Sequence, residues 1–409
     1  MNIAVATTEF VTESNFYGGL ANYIFKLATW LVKNNHTVTV FVSSNNDSGI
    51  SQYEGITLVR VKLEDAQGFY KYKFERWKLP FLMRKRKYYR IYFENLSQTM
   101  NQSVLLQHSI NKFDIIHYPN NGGMVYNCPK SIPSVVRLSG LTVRSHQFGG
   151  YGNSDLSIAE QEKFEMKGLK KANAVFCPSK MTIEYTKKIV SRDYHLIETP
   201  FNDSNLELDN FQYLSQLKNV KYLLFFGSIG LIKGVGTIAE MIFELLEQNP
   251  DLHFVFVGKK LNNQIGNVSV WKHLIAKAKK HSQRIIHFEP LKHAQLFPII
   301  QHAECVVLPS RIDNFPNTCI EAMANKKIVI GTVGNGFDQL IEDGKNGYLI
   351  NVDDHQQLLD KINLALRLPD QERKNMEEAA KSRTDLLHPD IVLNQVLDLY
   401  KATIANFKN

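Results

Sequence analysis

The sequence predicts an α/β protein built from two Rossmann-like, doubly wound parallel-sheet domains that face a central cleft. Three observations predict it. Short runs rich in β-branched and aromatic residues recur along the chain, each followed by a turn and then by apolar residues at helical spacing. That rhythm lapses in a polar stretch, Phe201 to Val220, and begins afresh at Tyr222. The length of 409 residues suits more than one domain, and an apolar content of 44% is enough to fill their cores. The expected domains are residues 1–200 and 201–390.

In the first half, Asn2 to Thr7 reads as a central strand. A loop to Tyr17 and the pair Gly18-Gly19 lead into an amphipathic helix, Leu20 to Val32, with Leu20, Ile24, Leu27, Ala28 and Leu31 on one face. His36 to Val42 is the next strand. Gly18 and Gly19 thus open the helix of a β-loop-α-β unit, where glycines let a ligand approach backbone amides or serve as plain turn residues. Gly55 to Val61 reads as a further strand.

From Phe69 to Phe93 cations crowd together, among them Arg84, Lys85, Arg86, Lys87 and Arg90, and aromatics interleave with them. The composition fits an anionic membrane surface and, equally, an insertion whose rings pack on the domain. Nucleic acid ranks below both. Asp114 to Tyr118 is a strand ending in His117, placed either to meet a ligand at the carboxyl end of the sheet or as a core histidine donating to a backbone carbonyl. Strands at Ser134–Leu138 and Ala174–Cys177 and helices at Ile158–Lys171 and after Ser179 build up this half, which Leu196–Pro200 closes.

In the second half, Tyr222 to Phe226 is a buried strand whose turn runs Gly227-Ser228 to Lys233-Gly234. A lone lysine at a helix start opposes the helix dipole, which favours a phosphate partner for Lys233. His253–Val257 and Ile285–Phe288 are strands, and Glu289-Pro290-Leu291 follows the second. Cys305 to Leu308 is a short strand that Pro309 ends, and a helix starts near Pro316 or Asn317, since Ile320, Met323 and Ala324 recur at helical spacing. Pro suits a first helical position, so the amides of Asn317, Thr318 and Cys319 point out of the helix mouth, an anion site. Asp313 and Glu321 flank it. Amides for phosphate and carboxylates for hydroxyls suit a phosphorylated polyol. Strands at Ile328–Gly331 and Tyr348–Ile350 follow, then helices, the last near Ile391–Phe407.

The pair Asp313 and Glu321, eight apart with Phe315-Pro316-Asn317 between them and Ala322-Met323-Ala324 after, resembles the E-x7-E motif of retaining glycosyltransferases of the GT-B fold, family four. The resemblance spans nearly the whole chain and is most specific from Phe225 to Ile350. It implies a GT-B architecture with the last helix, residues 391–409, crossing back to the first domain. By this likeness Glu321 holds the ribose and Asp313 the donor sugar. Lys233 and Ser228, the latter in place of an arginine, stand at the donor diphosphate, which Gly18 and Gly19 face. Phe315, Pro316, Asn317 and Thr318 line the donor mouth, and Pro290 and Leu291 lie beside the base. Asp313, His117 and Lys233 are the expected catalytic residues. Asp replaces the usual first Glu, and Ser139-Gly140 replaces a His-Gly pair, with His146 the nearest substitute.

The resemblance implies transfer of a sugar from a UDP- or GDP-linked donor, with retained configuration and without cofactor or metal. The acceptor is a glycan or lipid-linked, as in cell-envelope polysaccharide or glycolipid synthesis. A nucleotide-sugar epimerase of the same fold and a non-catalytic nucleotide-sugar or glycan-binding partner are the alternatives. The adjacent pair Asp353-Asp354 reads as a helix cap and not as a metal site. Cys128, Cys177, Cys305 and Cys319 show no C-x-x-C spacing and read as reduced thiols. With no basic leader at Met1 and no long apolar run, the expected location is cytoplasmic, peripheral on the inner face of a membrane. A net charge of +8 fits an anionic partner.

Overall fold

The computed structural model describes residues 1–13, 19–44, 47–63, 81–140, 156–202 and 206–408. Gly18, residues 69–80 and His146 lie outside the described residues. The chain divides into two compact units: one takes the first half up to Pro200 together with Pro389–Asn409, and the other is Phe201–His388.

The N-terminal unit is built on strands β1 (Asn2–Thr7), β2 (Thr37–Ser44), β3 (Gly49–Tyr53), β4 (Ile56–Lys62), β5 (Ile115–Pro119), β6 (Ser134–Arg137), β7 (Ala174–Cys177) and β8 (His195–Leu196). They lie in the order β3-β4-β2-β1-β5-β6-β7-β8. All pairs are parallel except β3–β4, a hairpin that the sequence pattern did not announce. β1 is central, with Ile3 opposite Val38 on one side and Ile115 on the other. Period-two alternation sends side chains to both faces. Ile3, Val5, Val40, Ile115 and Val135 pack with the helices Gly19–Lys33 and Pro389–Lys408. Ala4, Ala6, Ile116 and Val136 pack on the other side with residues of the helices Phe81–Ile110 and Leu156–Lys171. The last helix is fixed to this unit by Val392, Leu393, Val396 and Tyr400, all buried, and by Asp390, which accepts a hydrogen bond from Trp30 Nε1 at 2.7 Å.

The C-terminal unit carries β9 (Lys221–Phe226), β10 (Leu252–Val257), the small hairpin β11 (Gln264–Ile265) and β12 (Val268–Ser269), then β13 (Ile285–Phe288), β14 (Val306–Val307), β15 (Val329–Thr332) and β16 (Tyr348–Ile350). The main sheet is parallel, in the order β13-β10-β9-β14-β15-β16. β14 ladders over two residues only, although Cys305 and Leu308 on its flanks are as buried as the expected longer strand required. β8 is equally short, with two residues. The polar stretch after Pro200 contains a short helix, Phe211–Gln216.

Of the basic aromatic region, residues 81–93 are described, and they form the start of one 30-residue helix, Phe81–Ile110. Phe93 is buried against Phe164 with ring centroids 6.1 Å apart, while Tyr92 and Arg90 are exposed. No helix among the described residues is long and apolar enough to cross a membrane. The four thiols are free, and burial pushes those of Cys177 and Cys305 up to about 12.

Candidate active site

In the C-terminal unit β9, β14 and β15 are neighbours, so the loops that leave their carboxyl ends meet. The loop after β9 lies against the loop after β14. Arg311 N donates to Ile232 O at 2.8 Å, and a Cβ on Gly234 would fall 1.8 Å from Pro309 O. Gly234 also has φ +72, so only glycine fits there without strain. From the other side Gly336 N donates to Asp313 O at 2.9 Å, and a Cβ on Gly336 would fall 2.2 Å from Asn314 O. The segment Asp313–Phe315 is therefore clamped between two backbone loops.

That clamp delivers Lys233 to Asp313. Lys233 Nζ lies 2.5 Å from Asp313 Oδ2, with the two side chains 29% and 16% exposed. The helix Asn317–Ala324 opens next, with Pro316 as its N-cap residue and no side chain capping it. Its first amide bonds come from Cys319 and Ile320, both to Pro316 O. Among the described residues the amides of Asn317 and Thr318 have no partner, and they carry the positive end of the helix dipole. Glu321 lies one turn along, largely buried, 3.3 Å from His293 Nε2. The Thr318 methyl comes close to the loop after β9, 3.7 Å from where a Gly227 Cβ would stand. Ser228 is exposed. Phe315 and Pro316 are buried and anchor the mouth from below. Pro290 is exposed, and Leu291 packs partly on the core at the start of the helix His293–Gln301.

The structure thus gathers Lys233, Asp313, the mouth residues and Glu321. Sequence reasoning missed His293 and Arg311. Nothing local marks His293, because its partner is 28 positions away (321 − 293) and the two meet only in the fold. Arg311 makes a forked contact to Asp353 at 2.6 to 3.0 Å, which also raises its pKa. Asp354, not Asp353, is the helix cap, accepting from Gln357 N at 2.9 Å. Among the described residues no group of His, Cys, Asp and Glu is placed to hold a metal.

His117 and Gly19 belong to the N-terminal unit. Gly19 is exposed at the start of its helix. His117 sits in the middle of β5 and not at its end, fully buried, with Nδ1 2.6 Å from the Tyr400 hydroxyl. Burial and the nearby Arg137 charge lower its pKa to about 3. A base for an acceptor hydroxyl must reach it, and an imidazole this buried and this weakly basic suits that task poorly.

Comparison with known proteins bears on the family and the fold. The family model described as "Glycosyl transferases group 1" matches residues 209–383, and the model "Glycosyltransferase Family 4" matches residues 17–204. Spore coat protein SA of Bacillus subtilis is 22% identical over 376 residues, 89% of each chain. Sucrose-phosphate synthase from Thermosynechococcus elongatus superposes with a TM-score of 0.76 at 18% identity, covering 99% of both chains. Anabaena Alr3699/HepE in complex with UDP does so with a TM-score of 0.70 at 14% identity, covering 98% of this chain and 100% of that one. With a family model on each half and the fold shared throughout, the chain belongs to the group 1 glycosyltransferases of the GT-B fold, which move a sugar from a nucleotide-sugar donor to an acceptor.

Proposed function

We propose that the chain is a retaining, metal-independent glycosyltransferase whose C-terminal unit holds a UDP- or GDP-linked sugar at the mouth of the helix Asn317–Ala324. The observation that carries the reading is the grouping at that mouth: two unpartnered amides, Lys233 on Asp313 at 2.5 Å, and Glu321 one turn on.

The chemistry follows from charge. In the free protein Lys233 and Asp313 neutralise each other. An arriving diphosphate competes for Lys233 and meets the two amides. This draws the cation off Asp313 and frees its carboxylate to accept from the donor-sugar hydroxyls. As the sugar departs, negative charge grows on the diphosphate, and fixed amides and a lysine stabilise it there more than in the ground state. Those donors do the work a metal does in other enzymes, which is the basis for proposing metal independence. Glu321 accepts from the ribose hydroxyls, with His293 giving way. Retention follows when the acceptor hydroxyl attacks on the face the diphosphate leaves: its oxygen bonds to the anomeric carbon as the carbon–diphosphate oxygen bond breaks, and its proton passes to that departing diphosphate oxygen. His117 takes no proton in this scheme.

The acceptor is proposed to be a glycan or a lipid-linked glycan, met by the N-terminal unit. Support for a lipid surface comes from a groove of about 660 Å³, where Arg86, Lys87, Arg90, Lys163 and Lys167 stand around Ile91 and Phe164.

The test is a thermal-shift panel of nucleoside diphosphates and nucleotide-sugars on the wild type and Glu321→Ala. The expected result is a shift with one base, reduced in the variant by a loss of at least about tenfold in affinity, in line with removing a charged hydrogen-bond acceptor. Equal shifts in both proteins would remove Glu321 from the ribose and take the assignment with it.

A further inference from the structure

A second polar site lies wholly inside the N-terminal unit. Arg137 ends β6 and is 5% exposed. Its terminal nitrogens donate to the Ser139 hydroxyl at 2.6 Å and the Thr199 hydroxyl at 2.9 Å. Its Nε has no partner. Among the described residues no carboxylate lies within ion-pair distance of it, so a buried guanidinium stands without a counter-charge. The Tyr23 ring lies under it, 3.8 Å from the guanidinium carbon, and the Tyr23 hydroxyl, 2% exposed, has no partner either. The His117 ring is 6.1 Å from that of Tyr23, and its Nε2 is a third buried atom without a partner.

Three buried polar atoms without partners, on a guanidinium and on two rings near it, are costly as they stand, because each lost its water on folding. Their chemistry agrees. Arg137 Nε–H donates, and burial raises the Tyr23 pKa to about 12, so its hydroxyl keeps the proton and donates. In the tautomer where Tyr400 donates to His117 Nδ1, Nε2–H is a third donor. Donors without acceptors beside a bare cation are what an oxyanion needs. Ser139 and Thr199, both half-buried, are neutral groups that a charged oxygen can replace with stronger, charge-assisted bonds.

We propose that Arg137 and Tyr23, with His117 behind them, form a binding site for a phosphate or carboxylate group carried by the sugar acceptor. That the group belongs to the acceptor rests on the N-terminal unit taking the acceptor; that the site binds an oxyanion does not.

The test is the melting temperature of the full chain against inorganic phosphate, with sodium chloride at equal ionic strength as reference. Arg137→Met, Tyr23→Phe and Lys233→Ala are run beside the wild type. Phosphate is expected to raise the wild-type melting temperature beyond the salt effect. The response should survive in Lys233→Ala, which weakens the donor mouth, and vanish in Arg137→Met. Tyr23→Phe, which keeps the ring under the guanidinium, should fold normally and show a clearly weakened response. It carries the test should Arg137→Met not fold.

A phosphate response equal in wild type and Arg137→Met, or none beyond sodium chloride, overturns the site and leaves buried water as its occupant. Glucose 6-phosphate is expected to bind roughly tenfold tighter than inorganic phosphate, from added sugar contacts. Equal affinity overturns the assignment to the acceptor. Failure of the donor reading shows up separately, as nucleotides giving no shift while the Arg137-dependent phosphate response persists.

Discussion

His117 and the Arg137 guanidinium are buried side by side, and both burial and charge hold the imidazole neutral. In the unfolded chain the same imidazole takes up a proton near pH 6.5, in the fold only near 3. Between these values the unfolded chain binds more protons. The His117 contribution is therefore complete above about pH 6.5 and is lost as pH falls toward 3, by up to about 1.4 kcal/mol for each pH unit. Urea unfolding at pH 7, 5.5 and 4.5 in phosphate-free buffer checks this. His117→Asn should lose less stability than the wild type over that range, and parallel losses would contradict the account. The same residue shows what single positions reveal in a sequence. A histidine on an apolar strand is visible, but whether it faces ligand or core depends on a tyrosine 283 positions away.

At the scale of elements, the strand, turn and helix around Asp313 were readable because each follows from neighbours in the chain. β-branched residues favour the strand, Pro309 stops it, and Pro316 fits where a helix begins. What the pattern did not carry is the clamp. The loop Gly334–Phe337 belongs to the next strand, and its backbone presses on Asn314 with room only for a hydrogen. Gly336→Ala should push the Asp313 segment out of place. The expected cost is about 1 to 3 kcal/mol of stability and roughly a ten- to hundredfold loss of nucleotide affinity. Calorimetric titration with the nucleoside diphosphate that the panel selects checks it, and unchanged affinity would show that the mouth is not held by that loop. Helix boundaries moved little between expectation and structure, whereas the β3–β4 hairpin escaped notice because its Ser, Gln and exposed Ile50 carry no apolar alternation.

For the whole molecule, composition raises an expectation about partners before any fold is known: a net charge of +8 favours anionic ones. In the structure five of those cations surround one groove on the N-terminal unit, against Glu94 and Glu160. Arg86 and Lys163 both hold Glu160, at 2.6 and 2.8 Å, while Arg90 stands exposed. Co-sedimentation with vesicles containing anionic phosphatidylserine should therefore fall when Arg86, Lys87 and Arg90 are replaced by serine. A loss of roughly 1 kcal/mol per cation is expected, about five- to tenfold for each, and weaker still at high salt. Unaltered partitioning would leave the aromatics to their role in packing.

The sequence by itself determined the parallel α/β class, the division near Pro200, the helix mouth after Pro316 and the presence of two carboxylates beside it. These depend on interactions between residues close in the chain, where periodicity and backbone chemistry act directly. The tertiary structure alone decided that Lys233 rests on Asp313, that His293 faces Glu321, that Tyr400 occupies one nitrogen of His117, and that Arg137 is buried with no carboxylate at ion-pair distance among the described residues. Each of these joins residues distant in the chain or depends on burial. Such distances and desolvation exist only once strand order has brought the loops together.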